Sequence, residues 1–126
     1  MPKSVSLTKR ELDIMSVLWR RKSATVGEIR DELTDSLAYP TVQTMLRVLE
    51  AKGYVRHTQD GRAFRFHPLV AQDELADSVL RRLVAKVYHG SRELLVSRLI
   101  ADESISAEEL RRIRKVLQRR IKEAEE

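Results

Sequence analysis

Four polar side chains lie close together in Tyr39-Pro40-Thr41-Val42-Gln43-Thr44-Met45-Leu46-Arg47-Val48-Leu49: Thr41, Gln43, Thr44 and Arg47. Their shared chemistry is hydrogen bonding to base edges and phosphates. Arginine reads guanine through two hydrogen bonds, glutamine reads adenine, and threonine reaches a phosphate oxygen or a thymine methyl. The apolar residues between them give the spacing its meaning. Val42, Met45, Leu46 and Leu49 recur at i, i+3, i+4 and i+7, one buried helical stripe. Thr44 and Arg47 then point the other way, flanked by Thr41, Gln43 and Val48. An ordinary surface helix carries Glu and Lys there in i,i+4 pairs; this face has no acid before Glu50. Taken alone, the helix is explained equally well as an amphipathic helix with a small polar face. Its neighbours decide.

The next group is the arginines of Tyr54-Val55-Arg56-His57-Thr58-Gln59-Asp60-Gly61-Arg62-Ala63-Phe64-Arg65-Phe66-His67. Asp60-Gly61 signals a two-residue hairpin turn, because such turns need positive φ. With that dipeptide as the turn, Gln59 pairs with Arg62, His57 with Phe64, Val55 with Phe66, and Arg56 with Arg65. Val55, His57, Phe64 and Phe66 then face the core. Tyr54, Arg56, Thr58, Ala63, Arg65 and His67 face outward. Arg56 opposite Arg65 is a repulsive pair that a phosphate would relieve.

The elements that position these groups follow from caps and stripes. Thr8-Lys9-Arg10-Glu11 and Thr25-Val26-Gly27-Glu28 are capping boxes. The first opens a helix to about Arg21 that buries Leu12, Met15, Leu18 and Trp19, with Ile14 beside them. The second opens a helix to about Thr34 that buries Val26, Ile29 and Leu33. Ser23-Ala24-Thr25-Val26 is a short extended link between the two. Pro40 suits the first turn of the third helix, and Gly53 suits a left-handed termination. Two short helices joined by a turn, the second with a polar reading face, make a helix-turn-helix. A basic hairpin directly after it makes a winged helix over residues 1–70.

Residues 71–126 are purely helical in pattern. Helices are expected over 72–88, over 91–101 after His89-Gly90, and after a third box, Ser106-Ala107-Glu108-Glu109. Their stripes include Leu80, Leu83, Val84, Val87, Leu94, Leu95, Leu99, Ile113, Leu117 and Ile121. About 56 residues make a marginal core, so a second copy of the chain is the expected cover. An intramolecular cap over the wing domain is the alternative. A twofold dimer would also present two reading helices to two half-sites. The expected fold class is mainly α with a small β wing: an N-terminal winged helix-turn-helix and a C-terminal three-helix dimerisation region.

Composition narrows the function. There is no Cys, which removes disulfides, thiolate metal sites and Cys nucleophiles. No apolar run approaches membrane-spanning length, and the N-terminus lacks a signal-peptide core, which points to the cytoplasm. Residues 1–70 hold twelve basic and eight acidic residues, against twelve and eleven in 71–126. The basic excess therefore sits with the reading helix. His57 and His67 fall on opposite hairpin faces, and no metal site is expected from them or His89. No nucleophile–base constellation or phosphate-cradling glycine loop is present, so no enzyme and no cofactor is expected. Candidate DNA contacts are Pro40, Thr41, Gln43, Thr44, Arg47, Arg56, Arg62 and Arg65. A winged helix used as a protein-interaction module and an architectural DNA binder without a preferred site are the competing readings.

The blocks Ala38-Tyr39-Pro40-Thr41-Val42-Gln43-Thr44-Met45-Leu46-Arg47-Val48-Leu49, Lys52-Gly53-Tyr54-Val55 and Lys86-Val87-Tyr88-His89-Gly90 resemble the BlaI/MecI penicillinase-repressor family. So do Glu11, Ile14-Met15, Leu18-Trp19, and Arg62 with Phe64 and Phe66. The resemblance runs from about residue 7 to 121. It implies a bacterial winged-helix repressor that dimerises through its C-terminal helices and blocks transcription from a palindromic operator. It places reading-helix contacts on Thr41, Gln43, Thr44 and Arg47, and wing contacts on Arg62 and Arg65. The copper-responsive branch ends in Cys motifs, which this chain lacks. The antibiotic-responsive branch is cleaved at an Asn-Phe bond; the matching positions here are Arg98-Leu99. The resemblance therefore leaves open the inducing signal and any upstream protease or sensor.

Overall fold

The computed structural model describes residues 7–126. The elements, in order, are α1 (Lys9–Arg21), β1 (Ala24–Thr25), α2 (Val26–Glu32), α3 (Tyr39–Ala51), β2 (Val55–Asp60), β3 (Ala63–Pro68), α4 (Gln72–Val87), α5 (Arg92–Ile100) and α6 (Ala107–Glu125). The chain divides into two compact units, the first ending at Val79 and the second beginning at Leu80, so α4 runs across the division.

In the first unit both expected capping boxes form. Thr8 and Thr25 accept from the backbone N–H groups of Glu11 and Glu28, and each glutamate accepts in return from the cap residue's own N–H. These bonds satisfy N–H groups that a helix start leaves without partners. α3 ends as expected on Gly53, at φ +86°. The Gly53 N–H donates to the Glu50 carbonyl and the Tyr54 N–H to the Leu49 carbonyl, both at 3.0 Å. This pair of hydrogen bonds turns the chain directly into β2.

The core gathers Ile14, Met15, Val17, Leu18, Val26, Ile29, Val42, Leu46, Leu49, Tyr54, Val55, Phe66, Val70 and Leu75. Three expectations change here. The buried residues of α1 are Glu11, Ile14, Met15, Val17 and Leu18, while Leu12 is exposed and Trp19 only partly buried. The stripe is rotated because Glu11 brings its own partners into the interior and so takes a position reserved for an apolar side chain. Tyr54, assigned to the outer hairpin face, precedes the strand and is buried. Phe64 and His57, both assigned to the core face, are exposed, Phe64 at 42%. Only the base of the hairpin, Val55 and Phe66, reaches the core, and the tip projects beyond it.

The link before α2 is a strand. β1 pairs antiparallel with β3, giving a three-stranded sheet ordered β1-β3-β2. The turn of the hairpin is Gly61-Arg62, not Asp60-Gly61, and Asp60 pairs with Ala63. Of the turn residues only Gly61 takes positive φ, at +62°, which suits a turn with glycine at its first central position. The face assignments of strand residues survive, because the pairing moves by an even number of positions. The partners change: Thr58 faces Arg65, Arg56 faces His67, and His57 faces Phe66. The expected Arg56–Arg65 opposition does not exist.

The second unit looks different. α5 and α6 contain no buried residue, and the only buried residue of α4 is Leu75, in the first unit. Ser91 and Ser106 cap α5 and α6 through their hydroxyls. Among the described residues, no helix is long and apolar enough to cross a membrane.

Candidate nucleic-acid interface

α3 is held by its stripe: Val42, Leu46 and Leu49 are fully buried, with Met45 partly buried against them. The opposite side is open. Pro40, Thr41, Thr44, Arg47 and Val48 are exposed, and Gln43 is half-buried. The structure therefore brings all five α3 candidates onto one accessible surface. No side chain caps the N-terminus of α3, since Ala38 stands at the cap and Pro40 in the first turn. The Thr44 hydroxyl donates to the Pro40 carbonyl at 3.0 Å. The Thr44 side chain is otherwise exposed.

Val48 is 42% exposed and lies one turn beyond Thr44 on the same face. Sequence reasoning treats it as a flank, but it is part of the exposed face itself. The i+4 spacing from Thr44 was the available signal.

A second feature missed in the sequence fixes α3 at its far end. The Glu11 carboxylate is nearly buried and accepts from Lys52 Nζ at 3.1 Å through both oxygens. It also accepts from the Thr8 N–H at 2.9 Å. Burial pushes the Glu11 carboxyl up, but the Thr8 N–H and the Lys52 ammonium outweigh it and hold the group below its ordinary value. A charge this buried is kept because its partners are in place. The pair ties the start of α1 to the end of α3.

The wing arginines fall into two groups. Arg56 and Arg62 are exposed, and among the described residues neither forms an ion pair; the same holds for Arg47. Arg65 is occupied. It donates to Asp60 Oδ2 at 2.9 Å and to Ser23 Oγ at 3.2 Å, and lies 3.4 Å from Glu28 Oε1. Glu28 in turn holds Arg21 at 3.0 Å, and Arg21 holds Glu32, which also pairs with Arg20. The Thr25 N–H, then Arg21 and Arg65, depress the Glu28 carboxyl against the opposing effect of burial. This chain of charges runs from the end of α1 through α2 to β3. Arg20, Arg21 and Arg65 are thus committed within the protein.

Two of the histidines are engaged by neighbours within the first unit. His57 Nδ1 lies 2.8 Å from the Glu50 carboxylate on α3, with its ring against Phe64 and Phe66. His67 Nε2 meets the Thr58 hydroxyl at 2.9 Å. Burial, then Arg56 and Arg65, lower the His67 imidazole pKa and favour its neutral form.

The chain is similar to known proteins in sequence and in fold. The sequence profile described as Penicillinase repressor matches residues 7–119. The chain is 27% identical over 120 residues to the Penicillinase repressor of Bacillus licheniformis, covering 94% of each chain. It is 31% identical over 121 residues to the Transcriptional regulator BlaI of Mycobacterium tuberculosis, covering 93% of this chain and 86% of that one. A solution structure of the DNA-binding domain of the repressor BlaI superposes with a TM-score of 0.52 at 33% identity, over 59% of this chain and 93% of that one. Matched along nearly its whole length, this chain belongs to the penicillinase repressor family of DNA-binding transcriptional repressors.

Proposed function

We propose that the protein represses transcription in the cytoplasm as a homodimer on a palindromic operator. The winged unit of each copy reads one half-site, and the helices of residues 71–126 join the copies. The observation that carries this reading is the outer face of α3, exposed, without acid from Thr41 to Val48, and bearing an unpaired Arg47. In the major groove Arg47 reads a guanine with two hydrogen bonds, and Gln43 reads an adjacent base. Arg56 and Arg62 hold phosphates and set the register. Arg65 acts from inside, holding the wing against α2. Repression of this kind needs no catalytic step and no cofactor.

The dimer is supported by the apolar residues left open in the second unit. Leu80, Val87, Leu94, Leu99, Leu117 and Ile121 are each about half exposed, and Leu83, Val84, Leu95 and Ile113 are only partly covered. The test is a competition titration of operator against random duplex, with half-site spacing varied. A dimer binds one spacing best and loses affinity at others. Equal affinity at every spacing means that each copy binds alone.

A further inference from the structure

α6 carries a cationic face that neither the reading helix nor the dimer stripe uses. Leu110, Ile113, Leu117 and Ile121 recur at i, i+3, i+7 and i+11 along one side. Arg111, Arg112, Lys115, Arg119 and Lys122 fall on the opposite arc, and Arg114 and Arg120 flank the apolar stripe. All seven cations are exposed, and among the described residues none has an ion-pair partner. Acids stand only at the two ends of the helix, Glu108 and Glu109 in the first turn and Glu123 and Glu125 in the last.

An ordinary solvated helix face alternates signs at i,i+4. Here Arg111–Lys115 and Lys115–Arg119 are like-charge pairs at that spacing, which weakens an isolated helix. A bound polyanion removes the repulsion. With a rise of about 1.5 Å per residue, these cations recur roughly every 6 Å along the axis. Five of the seven are arginines, whose planar fork matches phosphate oxygens better than an ammonium does. Whatever covers the apolar stripe leaves the opposite arc outward.

We infer that the basic face of α6 is a second, sequence-independent surface for the phosphate backbone of double-stranded DNA. The inference does not depend on α3 being the sequence reader. Such a surface strengthens binding to any duplex and supports transfer along DNA. A phospholipid surface is the competing polyanion. It would need the apolar stripe of α6 as well as its cations, and that stripe is the one assigned to the dimer.

The test uses the full chain carrying Arg111→Gln, Lys115→Gln, Arg119→Gln and Lys122→Gln, with random-sequence duplex titrated at several salt concentrations. Affinity at low salt should fall at least about tenfold, and the slope of log K against log salt should flatten by about 2 to 4 per chain. A charge-matched control with Arg81→Gln, Lys86→Gln, Arg92→Gln and Arg98→Gln should change the slope far less. Equal losses in the two variants overturn the inference, since net charge alone would then account for them. So does an unchanged slope, including one accompanied by loss of binding to vesicles containing phosphatidylserine. Placing the α6 substitutions in an Arg47→Ala background separates the two surfaces, because the loss on random DNA should persist there. Acylation of Lys115 and Lys122 in the unaltered chain avoids any folding defect. Both should react when free and be protected by saturating random duplex. Unchanged reactivity, or no reactivity in the free protein, overturns the proposal.

Discussion

Leu46 and Leu94 are both leucines on helical stripes, yet the first is fully buried and the second is 54% exposed. The first unit closes on itself: α1 to α3, the start of α4 and a small sheet share one core. The second has stripes of the same kind but leaves them largely open. Stripe spacing shows that a helix has an apolar side, but not which surface covers that side. The two regions should therefore respond to substitution in different ways.

The largest effect is expected where the second unit is broken. Leu117→Asp places a charge on the α6 stripe, and sedimentation equilibrium should then give about 14.6 kDa instead of twice that mass. Circular dichroism and near-ultraviolet signals of the winged unit should persist. A variant that remains dimeric would remove α6 from the interface. Leu46→Ala probes the other region. It should cost about 2–5 kcal/mol in urea unfolding of the winged unit, with a midpoint independent of protein concentration. By contrast, Leu94→Ala should give a midpoint that rises with concentration, as expected for folding linked to association.

Glu11→Gln tests how the first unit fixes α3. Losing the charged bonds to Lys52 should cost about 1–3 kcal/mol. The sign with pH follows from the depressed carboxyl. Its stabilisation is present above the ordinary value of 4.5 and is lost as pH falls below it. The unaltered protein should therefore lose stability from that point downward, and Glu11→Gln should lose less over the same range. Parallel curves would show that the pair contributes nothing.

The smallest stability change belongs to the wing. Arg65→Ala removes partly exposed ion pairs worth about 0–1 kcal/mol each. Because Arg65 is turned onto Asp60, Ser23 and Glu28, its removal should leave the salt slope of DNA binding unchanged while weakening the operator complex. Arg62→Ala should instead flatten the slope by about 1 for each phosphate no longer neutralised. A flattened slope for Arg65→Ala would return that residue to the phosphate-binding set.

Most of the first unit was legible because local signals carried it. Both threonine boxes, the Gly53 termination and the α3 stripe depend on neighbours within a few residues. What was not legible depended on distant partners. Glu11 displaced Leu12 from the buried face because Lys52, far along the chain, receives its charge. The hairpin register slipped because glycine alone takes the positive φ, leaving Asp60 as a strand residue opposite Ala63 whose carboxylate holds the Arg65 side chain. Strand alternation correctly put Phe64 and Phe66 on one face, but not how far the core extends beneath it. The α3 surface emerged as expected, with Val48 added. The contacts of Arg65 were not legible because its partners lie before β1, on α2 and beside the turn.

The central claim is that the outer face of α3 reads sequence through Arg47. It is tested most directly by competing operator against random duplex, at one salt concentration, for Arg47→Ala and the unaltered chain. The expected result is a loss of about 1–3 kcal/mol on the operator beyond any loss on random DNA, with preference relaxed at one base pair in each half-site. An equal loss on both duplexes would make Arg47 a phosphate contact, and no loss on either would contradict α3 as the reader.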